Sequence, residues 1–534
     1  MLEAGPYAAR LIAALIGAGV TDFVVCPGSR SQALALAAAA QARAGRVTVH
    51  VRIDERSAAF FALGLARETG MPAPVIVTSG TAVANLHPAV LEAHHADVPM
   101  LLLTADRPAE LQGTRSNQTT DQTALFGAAL RMHRTVEADS LLDPEADARA
   151  ALQASLGNPA AASGPVQCNI RFREPLSDGA GMAEIPQLEI EPAPAAKPIT
   201  IEPAPGTVII AGAGATGKQD PNALARQLSV PLIAEPSSGA RHGRECVSVQ
   251  VLETELASRV QRVIVFGHPT LSRAVTALLR RTDVEVLVAA RSGDNVPGTA
   301  LHGVLVAADQ ERDRQWLGEW VVADRTLRET AAEQISIEGL SRRELAKEGL
   351  RQARRPVDRA TLVRGVWEHT WPHDRLVLGA SRLIRVLDRT VGGKAITVHS
   401  NRGLAGIDGT ISTALGVATA LDREQRGGIT RVLVGDLTAL HDVGGLLLPS
   451  DEPRPRIQII VGNDGGGTIF DQLEVKQSAH ADDFARVQST PQGVDFSQLA
   501  AAYGWSHTAV TDRAGLERAL TDKTTSLIEV ALAD

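Results

Sequence analysis

Paired cysteines are absent from this sequence. Only three of the 534 residues are cysteine, namely Cys26, Cys168 and Cys246, and no Cys-x-x-Cys pair occurs. Cysteines that are so few and so far apart argue against both a disulfide framework and a zinc knuckle. We therefore expect these three residues to be small, buried apolar side chains.

Long hydrophobic runs and an export signal are missing as well. Hydrophobic residues make up 44% of the chain and charged residues 21%, yet no run of about 18 consecutive apolar residues is available to cross a membrane. The N-terminal stretch MLEAGPYAARLIAALIGAG lacks the basic flank and the cleavage site of a signal peptide, so it predicts an amphipathic helix. These features predict a globular, cytoplasmic protein with no membrane span.

An excess of positive charge is also lacking. The formal net charge is -8 at pH 7, which argues against nucleic acid as the main partner. An anionic substrate would have to be bound by a local cluster of cations, because the chain as a whole does not attract it.

The sequence does contain three successive sets of apolar, strand-like segments that alternate with helical ones. Such alternation predicts βαβ units, and strands that are apolar throughout predict parallel sheets covered on both faces. A chain of this length is expected to form about three domains. The predicted fold class is therefore α/β, with three domains that each hold a mostly parallel sheet flanked by helices.

A Pro-rich segment, PQLEIEPAPAAKPITIEPAPG, marks the first domain boundary. Its six prolines disfavour a helix and favour an extended connector at 186–206. We place the domains at 1–185, 207–350 and 351–534. In the second domain the stretch HGVLVAAD is expected to be one more strand of the same set.

Two of the apolar strands end in oxygen-bearing side chains. VLVGDLTALHD places Asp436 after one strand, and IQIIVGNDGGGTIF places Asn463 after another, followed by three glycines. Ligands of parallel sheets bind beyond the carboxyl ends of the strands. A carboxylate beside an amide and bare backbone suits a magnesium ion with phosphate oxygens. An Asp436 that only caps the following helix explains the first stretch equally well.

The stretch GAGATG, residues 212–217, has the outline of a dinucleotide-binding fingerprint. It follows the strand-like TVIIA, and Glu235 comes about 20 residues later, where an acid could bind a ribose. The same glycines can instead serve only to turn the chain tightly. The residues alone thus leave open a nucleotide-binding oxidoreductase.

The pairing of Gly435 and Asp436 with Asn463 resembles the diphosphate and metal motif of thiamine diphosphate enzymes. Leu437 and Asp464 depart from the usual Gly-Asp-Gly start and Asn-Asn end of that motif. The Leu variant is similar to one branch, the menaquinone-pathway synthases that form 2-succinyl-5-enolpyruvyl-6-hydroxy-3-cyclohexene-1-carboxylate. Further motifs match that branch in order and spacing, namely CPGSRSQALALA, IDERSAAFFALGLA, VTSGTAVANLHPAVLEA, LLLTADRPAEL, NQTTDQ and NRGLAGIDGTISTALG.

The resemblance implies the thiamine diphosphate-binding fold. Residues 1–185 would form its pyrimidine-binding domain, 207–350 its central α/β domain, and 351–534 its diphosphate- and metal-binding domain. Glu55, in the motif DERS, would be the catalytic residue that binds the aminopyrimidine ring of the cofactor. For an isolated DERS motif, a helix N-terminal carboxylate stabilised by the helix dipole is the alternative.

The resemblance also implies a cofactor and metal site. Magnesium (Mg2+), or Mn2+ in its place, would be held by Asp436, Asn463 and the Gly465 carbonyl. The other residues implied to contact thiamine diphosphate are Gly80, Ser381, Ile407, Gly435, Leu437, Gly467, Ile469 and Phe470. For Ile469 and Phe470 a plain core role is equally compatible with the sequence.

The implied reaction is decarboxylation of 2-oxoglutarate and addition of the succinyl semialdehyde carbanion to isochorismate. Both substrates are dianions, so several cations are required. Arg30, Arg107, Arg385 and Arg402 stand at matching motif positions, and a guanidinium can bind a carboxylate through two hydrogen bonds. Taken singly, any of these arginines is as well explained by a solvated surface pair. The further residues implied to bind substrate are Ser29, Asn117, Gln118 and, from the central domain, Arg273.

The resemblance implies a homodimer or homotetramer as well. In this class Glu55 and the motif of Asp436 and Asn463 reach one cofactor from different subunits, so the active sites would lie between subunits. Three alternatives stay open: another thiamine diphosphate-dependent 2-oxo acid decarboxylase or acetolactate synthase-like enzyme, the nucleotide-binding oxidoreductase, and a noncatalytic metal-binding scaffold.

Overall fold

Parallel sheets flanked by helices make up the fold. The computed structural model describes residues 4–137, 143–158, 161–177, 182–191, 196–217, 219–290, 296–309, 314–331, 341–423 and 427–533. The described strands form three six-stranded sheets and one two-stranded sheet. Every ladder between these strands is parallel. The predicted α/β fold class is confirmed.

The first sheet is formed by the N-terminal part of the chain, in the order β2-β1-β3-β4-β6-β5. Its strands are β1 (Asp22–Val25), β2 (Thr48–Val51), β3 (Val75–Val77), β4 (Met100–Asp106), β5 (Met132–Glu137) and β6 (Pro165–Arg171). Its helices are α1 (Ala4–Gly17), α2 (Gln32–Arg43), α3 (Glu55–Thr69), α4 (Thr81–Ala84), α5 (His87–His95) and α6 (Pro144–Leu156). The strands β1, β3 and β4 are buried along their whole length, as expected for a parallel sheet covered on both faces.

The second sheet follows in the order β10-β9-β8-β11-β12-β13. The strands of this region are β7 (Pro198–Ile201), β8 (Thr207–Ala211), β9 (Leu232–Ala234), β10 (Cys246–Val247), β11 (Arg262–Phe266), β12 (Glu285–Ala289), β13 (Thr299–Leu301) and β14 (Val304–Ala307). The helices are α7 (Pro221–Leu228), α8 (Arg273–Leu279), α9 (Arg314–Ala331) and α10 (Arg342–Ala353).

The described C-terminal part of the Pro-rich segment contains one strand. Pro198–Ile201 form β7, which pairs with β14 in the two-stranded sheet. The stretch HGVLVAAD is therefore a strand as predicted, but it lies outside the six-stranded sheet. Pro198 is the first residue of β7, a position where the missing N–H of proline is tolerated.

The third sheet has the order β16-β15-β17-β18-β20-β19. Its strands are β15 (Arg375–Leu378), β16 (Thr397–His399), β17 (Thr430–Gly435), β18 (Ile457–Asn463), β19 (His507–Val510) and β20 (Ser526–Ala531). The helices of this region are α11 (Arg359–His369), α12 (Arg382–Thr390), α13 (Thr410–Arg423), α14 (Asp436–His441), α15 (Val475–Ser478), α16 (Ala481–Phe484), α17 (Phe496–Ala502) and α18 (Arg513–Thr521).

The chain divides into two compact units. The first comprises 1–195, 403–425 and 441–455, and the second comprises 196–402, 426–440 and 456–534. The first sheet belongs to the first unit, and the other sheets belong to the second. All three cysteines carry free thiols; Cys26 and Cys168 are buried as predicted, whereas Cys246 is only half-buried. Within the part of the chain described above, no helix is long and apolar enough to cross a membrane.

Helices α3 and α13 of the first unit cross at two glycines. A Cβ atom placed on Gly64 of α3 would lie 2.0 Å from the backbone oxygen of Thr413, and one on Gly416 of α13 would lie 2.1 Å from that of Phe61. Real Cβ atoms do not approach backbone so closely. The two helices can therefore pack at this distance only because both positions lack a side chain.

Replacing glycine by alanine should have opposite effects on stability at Gly64, inside this crossing, and at Gly318, outside it. Gly64→Ala should destabilise the protein by about 1–3 kcal/mol, because the backbones must separate to admit a methyl group. Gly318, in α9, is exposed with open space around its Cβ position, so Gly318→Ala should be neutral or stabilise by up to about 1 kcal/mol through helix propensity. Urea unfolding followed by circular dichroism measures both. Equal urea midpoints for the two variants would contradict the proposed crossing.

Candidate active site

Two neighbouring strands bring the predicted metal ligands to one sheet edge. β17 and β18 pair in parallel, with Gly435 opposite Gly462. The next residue of each chain segment is Asp436 or Asn463, so the carboxylate and the amide follow side by side at the carboxyl ends of the strands. The residues of β17 before Gly435 are all buried, which fixes the register because a slip by one residue would turn the apolar side chains over.

The Asp436 carboxylate lies inside the protein. Its side chain is only 4% exposed, and Oδ1 accepts the N–H of Leu437 at 2.8 Å. Burial is the main reason why the pKa of Asp436 is raised to about 6; the nearby Asp464 carboxylate raises it further, whereas the amides of Leu437 and Gly466 oppose the shift. The helix-capping role considered from the sequence is therefore present. A buried carboxylate with so little compensation also suits a bound cation.

Asn463 and the glycines after it form an open, oxygen-bearing loop. Asn463 Nδ2 donates to Glu529 Oε1 at 2.8 Å, which orients the amide, and its Oδ1 accepts the N–H of Gly465 at 3.2 Å. Gly465 has a φ of 77°, and no atom lies within 4 Å of its Cβ position. The Cβ position of Gly435, across the strand pair, is equally open. A carboxylate, an amide oxygen and free backbone carbonyl beside open space fit a hard cation with phosphate oxygens.

Asp464 has a partner that the sequence did not reveal. Arg359, the first residue of α11, places Nη2 at 2.8 Å and Nε at 3.1 Å from Asp464 Oδ2, and Thr468 Oγ1 donates to the same oxygen at 2.5 Å. Both charged side chains are largely buried. The negative charge that Asp464 brings next to Asp436 is thus locally neutralised. The sequence gives one indication of such a partner, because an extra carboxylate at Asp464 requires a cation nearby.

Glu55 is the first residue of α3, directly after the loop from β2. Asp54 caps the helix, since its Oδ1 accepts the N–H of Arg56 at 2.9 Å. The Glu55 side chain is half-buried, and its Oε2 accepts a hydrogen bond from Asn85 Nδ2 at 3.4 Å. The predicted helix N-terminus is therefore observed, and the carboxylate keeps room for a further partner.

A buried charge cluster fixes the strand end that leads to Glu55. Glu452 accepts the N–H of Val51 at 2.6 Å and Arg52 Nη1 at 2.8 Å, and it thereby covers the edge strand β2. His50 Nε2 lies 2.9 Å from Asp22 Oδ1, and its Nδ1 lies 3.8 Å from Glu452 Oε2. These contacts hold β2 on both sides just before the chain turns into α3.

The predicted residues Arg107 and Gln118 meet around Ser79, which sequence reasoning missed. Arg107 Nη1 donates to Ser79 Oγ and, at 3.1 Å, to the backbone oxygen of Gln118. Gln118 Nε2 donates to the backbone oxygen of Ser79 at 2.9 Å. Burial lowers the pKa of Arg107, and the positive charge of Arg30 lowers it further while Asp106 opposes the shift. Arg30 itself donates from Nη1 to the backbone oxygen of Phe172 at 3.2 Å, and its Nη2 lies 3.8 Å from Glu174 Oε1.

Of the remaining predicted residues of the first unit, only Gly80 is shown beside this cluster, where its Cβ position would lie 2.8 Å from Gln118 Cγ. Gly80 has a φ of 76°, and its N–H donates to the buried Gln122 Oε1 at 2.8 Å. Gln122 is a second residue that the sequence did not single out. Ser29 and Asn117 are exposed, and Ile407 is half-buried.

In the second unit, Ser381 caps α12 and is bonded to its own helix. Its Oγ accepts the N–H of Leu383 at 3.2 Å, and its backbone oxygen accepts Arg385 Nη1 at 2.8 Å. Arg402 is 3% exposed, and its Nη2 donates to Thr270 Oγ1 at 2.5 Å. Burial lowers the pKa of Arg385, while Glu235 raises it. Arg385 and Arg402 therefore both lie within the field of one buried acid.

Other predicted residues of the second unit are placed less tightly. Leu437, Ile469 and Phe470 are half-buried, the last two in a short 3-10 turn. Gly467 donates its N–H to the backbone oxygen of Ser489 at 2.6 Å. The Arg273 side chain is 79% exposed and lies 3.7 Å from Glu474, so the ion pair given for it among the described residues is with a carboxylate and not at the other arginines.

The dinucleotide-like stretch 212–217 only turns the chain. The next helix, α7, begins at Pro221 and is capped by Asp220, so the glycines do not open a helix toward a pyrophosphate. A Cβ on Gly212 would lie 2.1 Å from the backbone nitrogen of Pro269, which explains this glycine by close packing. Glu235 accepts backbone N–H groups from Thr270 and Leu271. Residues 212–217 therefore do not support the alternative of a nucleotide-binding oxidoreductase.

Comparisons with known proteins first define the class. A family model described as "Thiamine pyrophosphate enzyme, N-terminal TPP binding domain" matches residues 7–125, and the corresponding C-terminal TPP binding domain matches residues 386–530. These matches contain Glu55 and the motif of Asp436 and Asn463. The fold and the two strand-end motifs thus belong to a thiamine diphosphate-dependent enzyme.

Full-length relatives narrow the class further. A protein of Leifsonia xyli subsp. xyli is 49% identical over 558 residues, covering 96% of this chain and 93% of its own. A Clavibacter michiganensis protein is 48% identical, covering 98% and 95%, and a Nocardioides protein is 41% identical, covering 96% and 92%. All three are named 2-succinyl-5-enolpyruvyl-6-hydroxy-3-cyclohexene-1-carboxylate synthase. The chain therefore belongs to this family of thiamine diphosphate-dependent transferases, and the resemblance seen in its motifs is confirmed.

The charge cluster at β2 predicts a pH-dependent contribution to stability. Burial lowers the pKa of His50, but the hydrogen bonds to Asp22 and Glu452 outweigh it, so the net pKa is raised. For Asp22 and Glu452 burial raises the pKa, but their cationic partners lower it overall. The raised His50 pKa stabilises the fold fully below about pH 6.5 and is lost as pH rises through the folded value; the acid contributions are lost as pH falls below about 4.

His50→Gln should therefore cost most near pH 5.5 and less at pH 8.5, with a difference of about 1 to 2 kcal/mol. Urea midpoints at the two pH values measure it. His302→Gln, at an exposed histidine, is the matched control and should show no such dependence. A cost of His50→Gln that is the same at both pH values would contradict the charged cluster.

Proposed function

We propose that this chain catalyses the decarboxylation of 2-oxoglutarate and the transfer of the resulting four-carbon unit to isochorismate, in menaquinone biosynthesis. The product would be 2-succinyl-5-enolpyruvyl-6-hydroxy-3-cyclohexene-1-carboxylate, the compound in the names of its relatives. The observation that carries the proposal is the pair of adjacent strand ends at Asp436 and Asn463, which offers oxygen ligands beside open backbone.

The cofactor would be thiamine diphosphate held through magnesium, or through manganese in its place. We propose Asp436, Asn463 and the Gly465 carbonyl as the metal ligands, since all three are hard oxygen donors. The other proposed cofactor contacts are Gly80, Ser381, Ile407, Gly435, Leu437, Gly467, Ile469 and Phe470. Bound thiamine diphosphate would supply the electron sink for breaking and forming the carbon–carbon bonds.

Neutralisation of Asp464 supports the use of this site for an anionic diphosphate. Two carboxylates next to each other would repel phosphate, and Asp464 already raises the pKa of Asp436. The ion pair with Arg359 offsets the charge of the second carboxylate, and the Thr468 hydroxyl adds a hydrogen bond, so that less negative charge has to be balanced by the metal. The departure from the usual Asn-Asn end is thereby compensated within the chain.

Glu55 would be the catalytic residue. We propose that its carboxyl hydrogen-bonds the aminopyrimidine ring of the cofactor and holds a proton there, the role that its position implies in this class. The half-buried carboxylate, bound by Asn85 at 3.4 Å, and the clamped end of β2 support the assignment. A positioned acid of this kind contributes about 100-fold or more to a proton transfer.

The arginines of each unit would bind the two dianionic substrates. Arg30 and Arg107 repel each other, and an anion relieves that repulsion. Arg385 and Arg402 form the second proposed pair. Gln118, Asn117 and Ser29 would supply polar contacts on the first unit, and Arg273 would reach the substrate from the central region.

We further propose that the protein is at least an isologous dimer, as a homodimer or homotetramer. Glu55 lies in the first unit and Asp436 in the second, and in this class the two motifs reach one cofactor from different subunits. Particles that are monomeric by light scattering and fully active would contradict this proposal.

The test is consumption of isochorismate by the purified protein with 2-oxoglutarate, magnesium and thiamine diphosphate. Omitting any one component should abolish the loss of isochorismate, and Glu55→Gln should lower kcat by at least about 100-fold. Glu329→Gln, at an exposed carboxylate of α9, serves as the matched acid-to-amide control and should keep the wild-type kcat. Consumption of pyruvate instead would keep the cofactor but move the function to another 2-oxo acid decarboxylase or an acetolactate synthase-like enzyme. If Glu55→Gln is as active as the wild type, Glu55 is not catalytic, and the motifs of Glu55, Asp436 and Asn463 would serve only as a metal-binding scaffold.

A further inference from the structure

Glu235 is a buried acid at the carboxyl end of β9 that the proposed reaction does not use. Its side chain is 4% exposed, and its Oε1 accepts the N–H groups of Thr270 at 2.6 Å and Leu271 at 2.7 Å. Its Oε2 has no hydrogen-bond partner among the described residues. Burying a carboxylate in this way costs free energy. The two hydrogen bonds from Thr270 and Leu271 offset part of that cost and hold the turn in place.

That turn contacts Arg402, one of the proposed substrate arginines. Thr270 Oγ1 accepts Arg402 Nη2 at 2.5 Å, and its backbone N–H is one of the two that Glu235 binds. Arg402 follows β16 in a different part of the sequence, and its side chain is buried. The chain of contacts therefore runs from the Glu235 carboxylate through Thr270 to the Arg402 guanidinium.

The helix that carries Arg385 is bonded to the loop after the same strand. Arg241, in the loop after β9, donates to the backbone oxygen of Ala234 at 2.5 Å and to Asp388 Oδ1 at 2.9 Å. It also donates to the backbone oxygens of Asp388 at 2.7 Å and Val391 at 2.8 Å. Asp388 lies in the last turn of α12, the helix that carries Arg385, and Val391 directly follows that helix. The loop after β9 is thus bonded to the C-terminal end of this helix.

We propose that Glu235 and Thr270 are positioning residues that orient Arg402 toward a dicarboxylate substrate, and that the charge on Glu235 tunes how strongly the pair Arg385 and Arg402 attracts it. The inference rests on the proposed function, because it takes these arginines as substrate ligands. Glu235 and Thr270, in the central part of the chain, would thus affect substrate affinity without touching the substrate.

The charged groups around Glu235 support the second part of the proposal, in which the charge on Glu235 alters how strongly the arginines attract the substrate. Burial is the main reason why the pKa of Glu235 is raised to about 7; the Asp388 carboxylate raises it further, and Arg402 lowers it. The charged groups around Glu235 are Arg385 and Asp388 from α12 and Arg402 from the loop after β16, with Arg241 paired to Asp388. Burial raises the pKa of Asp388 too, although Arg241 opposes the shift.

The first arm of the test removes the Thr270 hydroxyl. Thr270→Val keeps both backbone donors but loses the acceptor for Arg402, so the KM of the substrate bound by Arg402 should rise about tenfold while kcat changes little. Thr270→Ser should restore the KM, because it restores the oxygen. Thr326→Val removes an exposed helix hydroxyl in the same unit and should change neither constant.

The second arm uses pH. Carboxylic substrates remain dianions between pH 6 and 8, since their groups titrate near pH 4. When Glu235 is protonated, the arginine pair gains net positive charge, so the wild-type KM should fall about threefold from pH 8 to pH 6. Glu235→Gln is neutral throughout and keeps an oxygen for the two N–H groups. Its KM should stay flat over this range at the low-pH value.

Binding of glutarate, a nonreactive dicarboxylate, separates this inference from the proposed function. Isothermal titration of the protein with glutarate should show affinity about tenfold weaker for Thr270→Val than for the wild type or Thr270→Ser. If the wild type binds glutarate but turns over neither 2-oxoglutarate nor isochorismate, the proposed function fails and the inference stands. If Thr270→Val binds glutarate as the wild type does, or if the wild type does not bind it, the inference is wrong.

Discussion

Parallel pairing of strands is the constraint on which this structure depends. Each of the three large sheets is wholly parallel, so all the carboxyl ends of a sheet face one edge, and side chains far apart in sequence meet there. The register of β17 and β18 places Asp436 beside Asn463. The end of β2 delivers Glu55, and the end of β9 delivers Glu235. Apolar strand interiors hold these positions, because a slip along the strand would draw the polar residue at its end into the buried interior.

Asp464, Asp436 and Glu235 are acids with little exposure, and different groups compensate the charge of each. Asp464 is paired with Arg359, which offsets its charge. Asp436 accepts the backbone N–H of Leu437, and it is the acid that we propose as a metal ligand. Glu235 binds two backbone N–H groups and influences two arginines. Burial of a carboxylate is expensive unless it is compensated, so the kind of compensation shows what each acid is available to do.

Local patterns explain how much of this could be predicted from the sequence. An apolar run followed by Gly435 and Asp436 predicts a strand that ends in a carboxylate, and DERS after an apolar strand predicts Glu55 at a helix start. Both features depend on residues close together in the chain. The fold class followed from the same alternation, because periodicity of this kind is set by burial.

Long-range contacts explain what could not be predicted. Arg359 lies about a hundred residues before Asp464, and no local pattern links them. The pairing of β7 with β14 was hidden because prolines in the connector argue against regular structure. Glu235 matched the spacing of a ribose-binding acid, yet its true partners, Thr270 and Leu271, come from a distant turn. Ser79 and Gln122 were missed because a serine or a glutamine shows its role only through its neighbours.

The central claim is that Glu55 and Asp436 serve the same cofactor, contributed by two copies of the chain. Glu55→Gln and Asp436→Asn chains, coexpressed with different tags and purified on both, test it directly. Each variant alone should be inactive, whereas the doubly tagged hybrid should recover about half of the wild-type activity, because one of its two sites holds both native groups. A hybrid as inactive as its parents would contradict the account.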